Sequence, residues 1–258
     1  MLRSLKELLG YSIRATDGDV GKVLDFYFDD RKWTVRYMVV DTGRWLSGRQ
    51  VLLSPQSFGK PDWTERIVPV NLTRDAIEHS PPIDTDQPVS RQYEEMIALH
   101  YGWAPYWGME GTPLMQPPEE MMSETLARQE LRIHGDPDLR SMRDTIHLDL
   151  NATDARIGRV HDFIVQSDDW VVRYIVADIG RLLTGKKVLI SPAWVHDVNW
   201  AQRAVLVDLD QSAIREGPAF DYDTPVNREY EVRLYDFHGR PVYWEGEAPE
   251  PVKEPQAK

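Results

Sequence analysis

Two aspartates separated by one residue, Asp84 and Asp86, recur further along the chain as Asp221 and Asp223. In an extended segment residues i and i+2 face the same way, so each pair could offer two carboxylates to a hard cation. The same spacing also suits an Asx turn that sets negative charge before the positive N-terminus of a following helix, and that reading needs no metal. Two more pairs of carboxylates recur: Asp25 and Asp162 inside apolar runs, and Asp41 and Asp178 at the ends of the runs that contain Arg36 and Arg173. A carboxylate beside a cation is the raw material of general acid-base catalysis, but cross-strand ion pairs and rim hydrogen bonds use the same residues. Of the histidines (His79, His100, His134, His147, His161, His196, His238), none stands in a HExxH or HxH arrangement. His161 alone falls in a predicted strand beside an acidic neighbour, and its counterpart in the other copy is Leu24, which argues for a structural histidine over a ligand. The chain contains no cysteine, so disulfides, thiolate metal sites and cysteine nucleophiles are excluded together. No nucleophile, cofactor motif or glycine-rich phosphate loop accompanies the carboxylates, and the reading is a protein without cofactor that is not an enzyme.

Two further features could bind a partner. The loops Gly43-Arg44-Trp45-Leu46-Ser47-Gly48-Arg49 and Gly180-Arg181-Leu182-Leu183-Thr184-Gly185-Lys186 are basic, bounded by glycine, and carry apolar side chains at the tip. No helix follows them, so they are not P-loops; a plain strand connection explains them, while Arg44, Trp45, Leu46, Arg49, Arg181, Leu182 and Lys186 would serve as anchors on an interaction surface. The aromatic run Tyr101, Trp103, Tyr106, Trp107 is the second candidate, with Trp103 and Trp107 as its anchors; Tyr243 and Trp244 are its remnant in copy two. Packing of a helix on a sheet accounts for this run at least as well as an exposed site.

All these residues hang on one unit written twice. GKVLDFYFDDRKWTVRYMVVDTGRWLSGRQVLLSP at 21–55 returns as GRVHDFIVQSDDWVVRYIVADIGRLLTGKKVLISP at 158–192, and the same offset carries Leu2-Arg3-Ser4 onto Leu139-Arg140-Ser141 and Tyr106-Trp107 onto Tyr243-Trp244. Two copies of about 100 residues are each long enough to bury a core of their own. Val20 to Phe28 and Ile157 to Val165 read as strands, with Leu24, Phe26 and Phe28 on one face. After a polar turn, Trp33, Val35, Tyr37 and Val39 alternate on one face of a second strand, and Trp170, Val172, Tyr174 and Val176 repeat the set. Pro55 and Pro192 stop a third strand, since proline has no amide for the ladder. Thr73 and Asp210 are N-caps for a short helix ended by Pro81 and Pro218, and Ser90 and Asn227 are N-caps for a second helix that ends near Gly102.

The chain carries 42 Asp and Glu against 30 Lys and Arg, a net charge of -12, so it lacks the basic balance on which phosphate-dominated nucleic-acid binding relies. Charges interrupt every apolar run near the N-terminus, which predicts neither signal peptide nor membrane span, and a cytoplasmic location follows as the expectation. Residues 108–138, rich in Met, Pro and Glu, read as an interdomain linker, and 246–258 as a disordered tail.

Gly21-Lys22-Val23 entering a strand, an acidic turn, Trp33 to Asp41 ending in Asp-x-Gly, and Val51-Leu52-Leu53-Ser54-Pro55 together resemble the PRC-barrel domain. The resemblance spans residues 2–81 and again 139–218. It implies a small, mostly antiparallel β-barrel of six strands that binds other macromolecules and has no catalytic residues; the best-known members are the cytoplasmic part of a photosynthetic reaction-centre subunit and the C-terminal domain of a ribosome-maturation factor. The expected fold is therefore mainly β: two such barrels in tandem, 1–107 and 139–245, each with a C-terminal helix, arranged as an internal pseudo-dimer that leaves homo-oligomerisation open. The expected function is a non-catalytic protein-binding or assembly adaptor, with an unidentified protein as partner. RNA processing or a ribosome-associated role, and small-ligand or metal binding at the acidic pairs, are the alternatives.

Overall fold

The structure is a computed structural model and describes residues 1–81, 83, 89, 91–106, 139–180 and 185–244. The expected linker and tail lie outside these residues. The first repeat runs β1 (Leu2–Ser4), α1 (Leu5–Leu8), β2 (Ser12–Ala15), β3 (Gly18–Asp29), β4 (Thr34–Asp41), β5 (Gln50–Leu53), a 3-10 turn at Pro55–Ser57, β6 (Ile67–Pro69), α2 (Arg74–Glu78) and α3 (Arg91–Tyr101). The second runs β7 (Leu139–Ser141), α4 (Met142–Thr145), β8 (Asp149–Asn151), β9 (Arg156–Gln166), β10 (Val172–Asp178), β11 (Lys187–Ile190), a 3-10 turn at Pro192–Trp194, β12 (Val195–Asn199), β13 (Ala204–Val207), α5 (Gln211–Glu216), β14 (Ala219–Phe220) and α6 (Arg228–His238).

Each repeat builds a sheet around one long strand. In the first the order is β5-β4-β3-β2-β6, and in the second β12-β13-β8-β9-β10-β11-β14. Most pairs are antiparallel; β2 with β6 and β8 with β13 are parallel. The two ends of each order are not paired with one another among the described residues, so the closed barrels expected from the sequence are open sheets. Pro55 and Pro192 contribute to the opening, because each enters a 3-10 turn instead of extending its strand toward the far edge. Close approach of strand ends explains the glycine that opens both copies of the repeat: a Cβ on Gly21 would lie 2.1 Å from the carbonyl oxygen of Asp41, and one on Gly158 2.2 Å from that of Asp178.

The repeats exchange their first strands. β2 covers the edge of β3 only from Gly18 to Lys22, which leaves the rest of that edge free. The strand that takes residues 27–29 is β7, from the other repeat, paired antiparallel with Tyr27 opposite Ser141 and Asp29 opposite Leu139. Reciprocally, β1 pairs with β9, with Ser4 opposite Ile164 and Leu2 opposite Gln166. The two registers are the same under the repeat offset, as a two-fold pseudo-symmetric contact requires.

The exchange overturns the expectation that each copy buries a core of its own. Trp33 and Trp170 do not lie in the strands; they occupy the preceding turns in the left-handed region, at φ 50° and 58°. From there their carbonyls accept across the junction, Trp170 O from Val35 N at 2.9 Å and Trp33 O from Val172 N at 2.7 Å. The rings cross as well: Trp33 packs on Phe28 of its own repeat and Phe163 of the other, while Trp170 packs on Phe26 and Phe58. Such aromatic pairs add about 0.5–1.5 kcal/mol each beyond their area, and they join both repeats into one continuous buried core.

β-bulges shift the expected faces. Opposite Tyr27 and Phe28 lie Tyr37 and Val35, so Arg36 is the extra residue of β4. The phase changes there: Trp33, Val35, Met38 and Val40 join the shared core, while Tyr37 and Val39 turn to the opposite face beneath Ile97 of α3. A second bulge at Leu24 puts that side chain on the α3 side and Val23 in the core beside Phe26 and Phe28, contrary to the alternation read from the sequence. Arg173 and His161 are the corresponding extra residues of the second repeat. The caps are as expected: Thr73, Asp210 and Asn227 accept from the backbone N–H three residues on, and Ser90 lies outside the described residues. No helix of the described residues is long and apolar enough to cross a membrane.

Candidate functional site

The carboxylates singled out in the strands turn out to be receptors for the exchanged segments. Asp162, fully buried, accepts from Ser4 Oγ at 2.5 Å, the Lys6 N–H at 3.1 Å, its neighbour Phe163 N–H at 2.7 Å and the Tyr222 hydroxyl at 2.8 Å. Asp25 accepts from Ser141 Oγ at 2.5 Å, the Arg143 N–H at 3.2 Å and the Phe26 N–H at 2.8 Å. The same serines cap their helices, since Ser4 Oγ accepts from Glu7 N and Ser141 Oγ from Asp144 N. Each buried carboxylate thus holds the cap of a helix that belongs to the other repeat. Burial pushes both carboxyls up, Asp25 to about 6, against the opposing pull of the serine and the backbone donors. Arg36 and Arg173 do not meet them; Arg36 pairs with Asp29 and Arg173 with Asp169. Asp41 and Asp178 each turn back to the N–H two residues on, at Gly43 and Gly180.

Two glutamates that composition gave no reason to single out are buried on the helices. Glu94 of α3 accepts from Tyr106 Oη at 2.8 Å, and Glu231 of α6 accepts from Tyr243 Oη at 2.7 Å and from Tyr174 Oη at 2.8 Å. In each repeat the hydroxyl that follows the helix is tied back to it, which accounts for much of the C-terminal aromatic run. Trp103 stacks on Tyr101 with centroids 4.3 Å apart and is partly buried; Trp107 lies outside the described residues. The signal in the sequence was the shared Tyr-Glu at Tyr93-Glu94 and Tyr230-Glu231, twelve residues before the tyrosine each glutamate receives.

The basic loops are used within the fold. Arg49 reaches the end of α2, donating to Glu78 O at 2.8 Å and to the Ser80 carbonyl, and Lys186 does the same for α5 through Arg215 O at 2.5 Å and Gly217 O at 3.1 Å. These are cations placed on the free carbonyls of a helix C-terminus. Trp45 is partly buried under the Arg74 guanidinium, Leu46 is half-buried and Arg44 is exposed. Arg181 and Leu182 lie outside the described residues, as do Asp84, Asp86 and His134. Asp221 accepts from Asp223 N at 3.1 Å, the geometry of an Asx turn. Among the described residues no three His, Asp or Glu side chains gather as a metal site would need.

Where the repeats meet, a groove of about 650 Å³ opens, with Lys32 and Trp33 from the first repeat facing Arg140, Arg173, His196 and Trp200 from the second. Asp30 ties its walls, accepting from Arg140 Nε and Trp200 Nε1, both at 2.9 Å, while the guanidinium of Arg140 lies over the Trp200 ring. One wall is β12, the edge strand of the larger sheet.

A duplicated unit of short strands around one long bulged strand, with a short capped helix behind it, defines a class of β-rich modules. The model of the PRC-barrel domain matches residues 2–77 and 148–214, together more than half of the chain, and the protein belongs to that family. No curated protein matches it.

Proposed function

We propose that the protein is a non-catalytic adaptor that binds another protein through the groove at the junction of its repeats. The observation that carries this reading is the groove's composition, which draws on both repeats and so exists only in the doubled unit. Membership of the PRC-barrel family, whose modules generally work by interaction, supports it. So does the fate of the strand carboxylates, which hold helix caps and are committed to the fold. The partner chemistry that suits the groove is an extended acidic segment: Arg31, Lys32, Arg140 and Arg173 line it against Asp30 and Asp197, and β12, at the edge of its sheet among the described residues, is placed for a strand to join.

The test is capture of interacting proteins by the intact chain and by the Arg31→Glu/Lys32→Glu variant. A partner retained by the first and lost by the second, with binding that weakens as salt rises, supports the reading. RNA bound with a steep salt slope, in place of any protein, would overturn it.

A further inference from the structure

The two repeats carry the same cleft, between the first half of the long strand and the end of its neighbour, but the residues in it have diverged. In the first repeat the cleft encloses about 350 Å³ and sets one ammonium, Lys22, against two carboxylates, Asp19 and Asp41. In the second it encloses about 610 Å³ and sets three guanidiniums, Arg156, Arg159 and Arg215, against one carboxylate, Asp178, with His147 and His161 added. The positions correspond under the repeat offset: Asp19 is replaced by Arg156, Glu78 by Arg215, Leu24 by His161 and Gly10 by His147. Three neighbouring changes run the other way, Ser12 to Asp149, Arg14 to Asn151 and Arg74 to Gln211, and Arg14 pairs with Asp19 at 3.0 Å; the lining itself nevertheless passes from one lysine and two aspartates to three arginines and one aspartate, within a chain whose net charge is -12.

His147 has a separate cost that points the same way. It sits at φ 76°, and the residue at the same place in the first repeat is Gly10 at φ 77°. The left-handed region disfavours a side chain, so the second repeat keeps a histidine where the fold is easier with glycine. Strain of this kind, held beside a cleft, marks functional positions. Asp149 pairs with Arg156 at 2.6 Å and Arg159 at 3.4 Å, so one carboxylate faces two guanidiniums and leaves positive charge in excess. Burial holds the imidazole of His161 below the usual range, and Lys6, delivered by the exchanged α1, and Lys187 push the same way against the opposing pull of Asp178. A bound anion would relieve that excess of positive charge.

We propose that the second repeat's cleft binds a small phosphorylated molecule, its phosphoryl group held by Arg156, Arg159 and Arg215 with the two histidines beside it. Planar guanidiniums match phosphate oxygens in pairs, and the volume is in the range of small-molecule sites. The site is independent of the groove at the junction, so this inference does not rest on the proposed adaptor role.

The experiment titrates inorganic phosphate and pyrophosphate into the intact protein at low salt, following heat and the histidine ring resonances. The comparison is a variant that gives the second cleft the residues of the first: His147→Gly, Arg156→Asp, His161→Leu and Arg215→Glu. These residues already belong to a folded copy of the same unit, and circular dichroism checks that the variant folds. The expected result is one saturable site per chain, with His161 titrating at higher pH when phosphate is bound and affinity at least tenfold weaker in the variant. No saturation in the millimolar range, two equivalent sites, or equal binding by the variant would each overturn the proposal.

Discussion

Replacing Asp25 with asparagine isolates the effect of burying a carboxylate under the exchanged strand. Burial holds its carboxyl at about 6, against an ordinary 3.8, although Ser141 Oγ and two backbone N–H groups pull the other way. The folded protein therefore binds this proton more tightly than the unfolded chain does. Stability contributed by the group is full below the unfolded value of 3.8, falls as pH rises between there and the folded value of about 6, and is gone above it. A span of about two pH units is worth on the order of 3 kcal/mol. Asparagine keeps an acceptor for the Phe26 and Arg143 amides but has no proton to lose, so Asp25→Asn should lack this slope. Urea unfolding of both proteins at pH 4, 5, 6 and 7 measures it, and subtracting one profile from the other removes the contribution of all other carboxylates. Wild type should lose roughly 2 kcal/mol of this relative to the variant between pH 4 and 6, since the transition is centred on the two carboxyl values and is incomplete at either end. Parallel profiles would refute the reasoning, and a wild type that gained on the variant with rising pH would show that the donors outweigh burial.

Three further outcomes follow from the same contacts. Ser4→Ala removes both the cap on Glu7 N and one of four donors to buried Asp162, and should destabilise the protein by about 2 kcal/mol in chemical denaturation, from a cap of ~1 and a buried hydrogen bond of ~1, because Tyr222 still donates to the same carboxylate oxygen. Arg49→Met should cost roughly 1–3 kcal/mol of stability while leaving partner capture unchanged, since its guanidinium is spent on the carbonyls at the end of α2; loss of capture without loss of stability would return it to the interaction surface. Residues 1–107 alone should form a homodimer by light scattering, each copy lending its Leu2–Ser4 strand to the free edge of the other's β3, where β7 sits in the full chain; a compact monomer would refute the exchange.

The periodic elements and their caps were legible because they depend on neighbours in sequence. The run 20–28, the caps Thr73, Asp210 and Asn227, and the stops at Pro55 and Pro192 read correctly from local chemistry, while the strand read as Trp33 to Asp41 begins one residue later, at Thr34. The faces did not, because a bulge at Arg36 or Leu24 inserts one residue without any mark in the pattern and reverses every side chain beyond it. The exchange was hidden for a different reason. Leu2-Arg3-Ser4 and Leu139-Arg140-Ser141 are the same tripeptide type, so pairing within a repeat and pairing across repeats leave one and the same sequence pattern. The buried Glu94 and Glu231 were missed because a charged residue on an amphipathic helix ordinarily faces solvent, whereas here a tyrosine twelve residues on, and for Glu231 also Tyr174, receives it inside.

The pairing of β1 with β9 also sets when the molecule can be finished. Leu2–Ser4 precedes its partner, residues 164–166, by about 160 residues, so its pairing waits while that stretch of the chain is synthesised. Native contacts so distant in sequence close slowly, because loop entropy is lost before the pairing gives anything back. Until Leu139–Ser141 is made, the edge of the first long strand lacks its partner at Tyr27 to Asp29, and the opening strand of a second nascent copy has the sequence to pair there. Chains made on one polysome are thereby exposed to cross-threading, a hazard that the second repeat ends when Leu139–Ser141 arrives in cis.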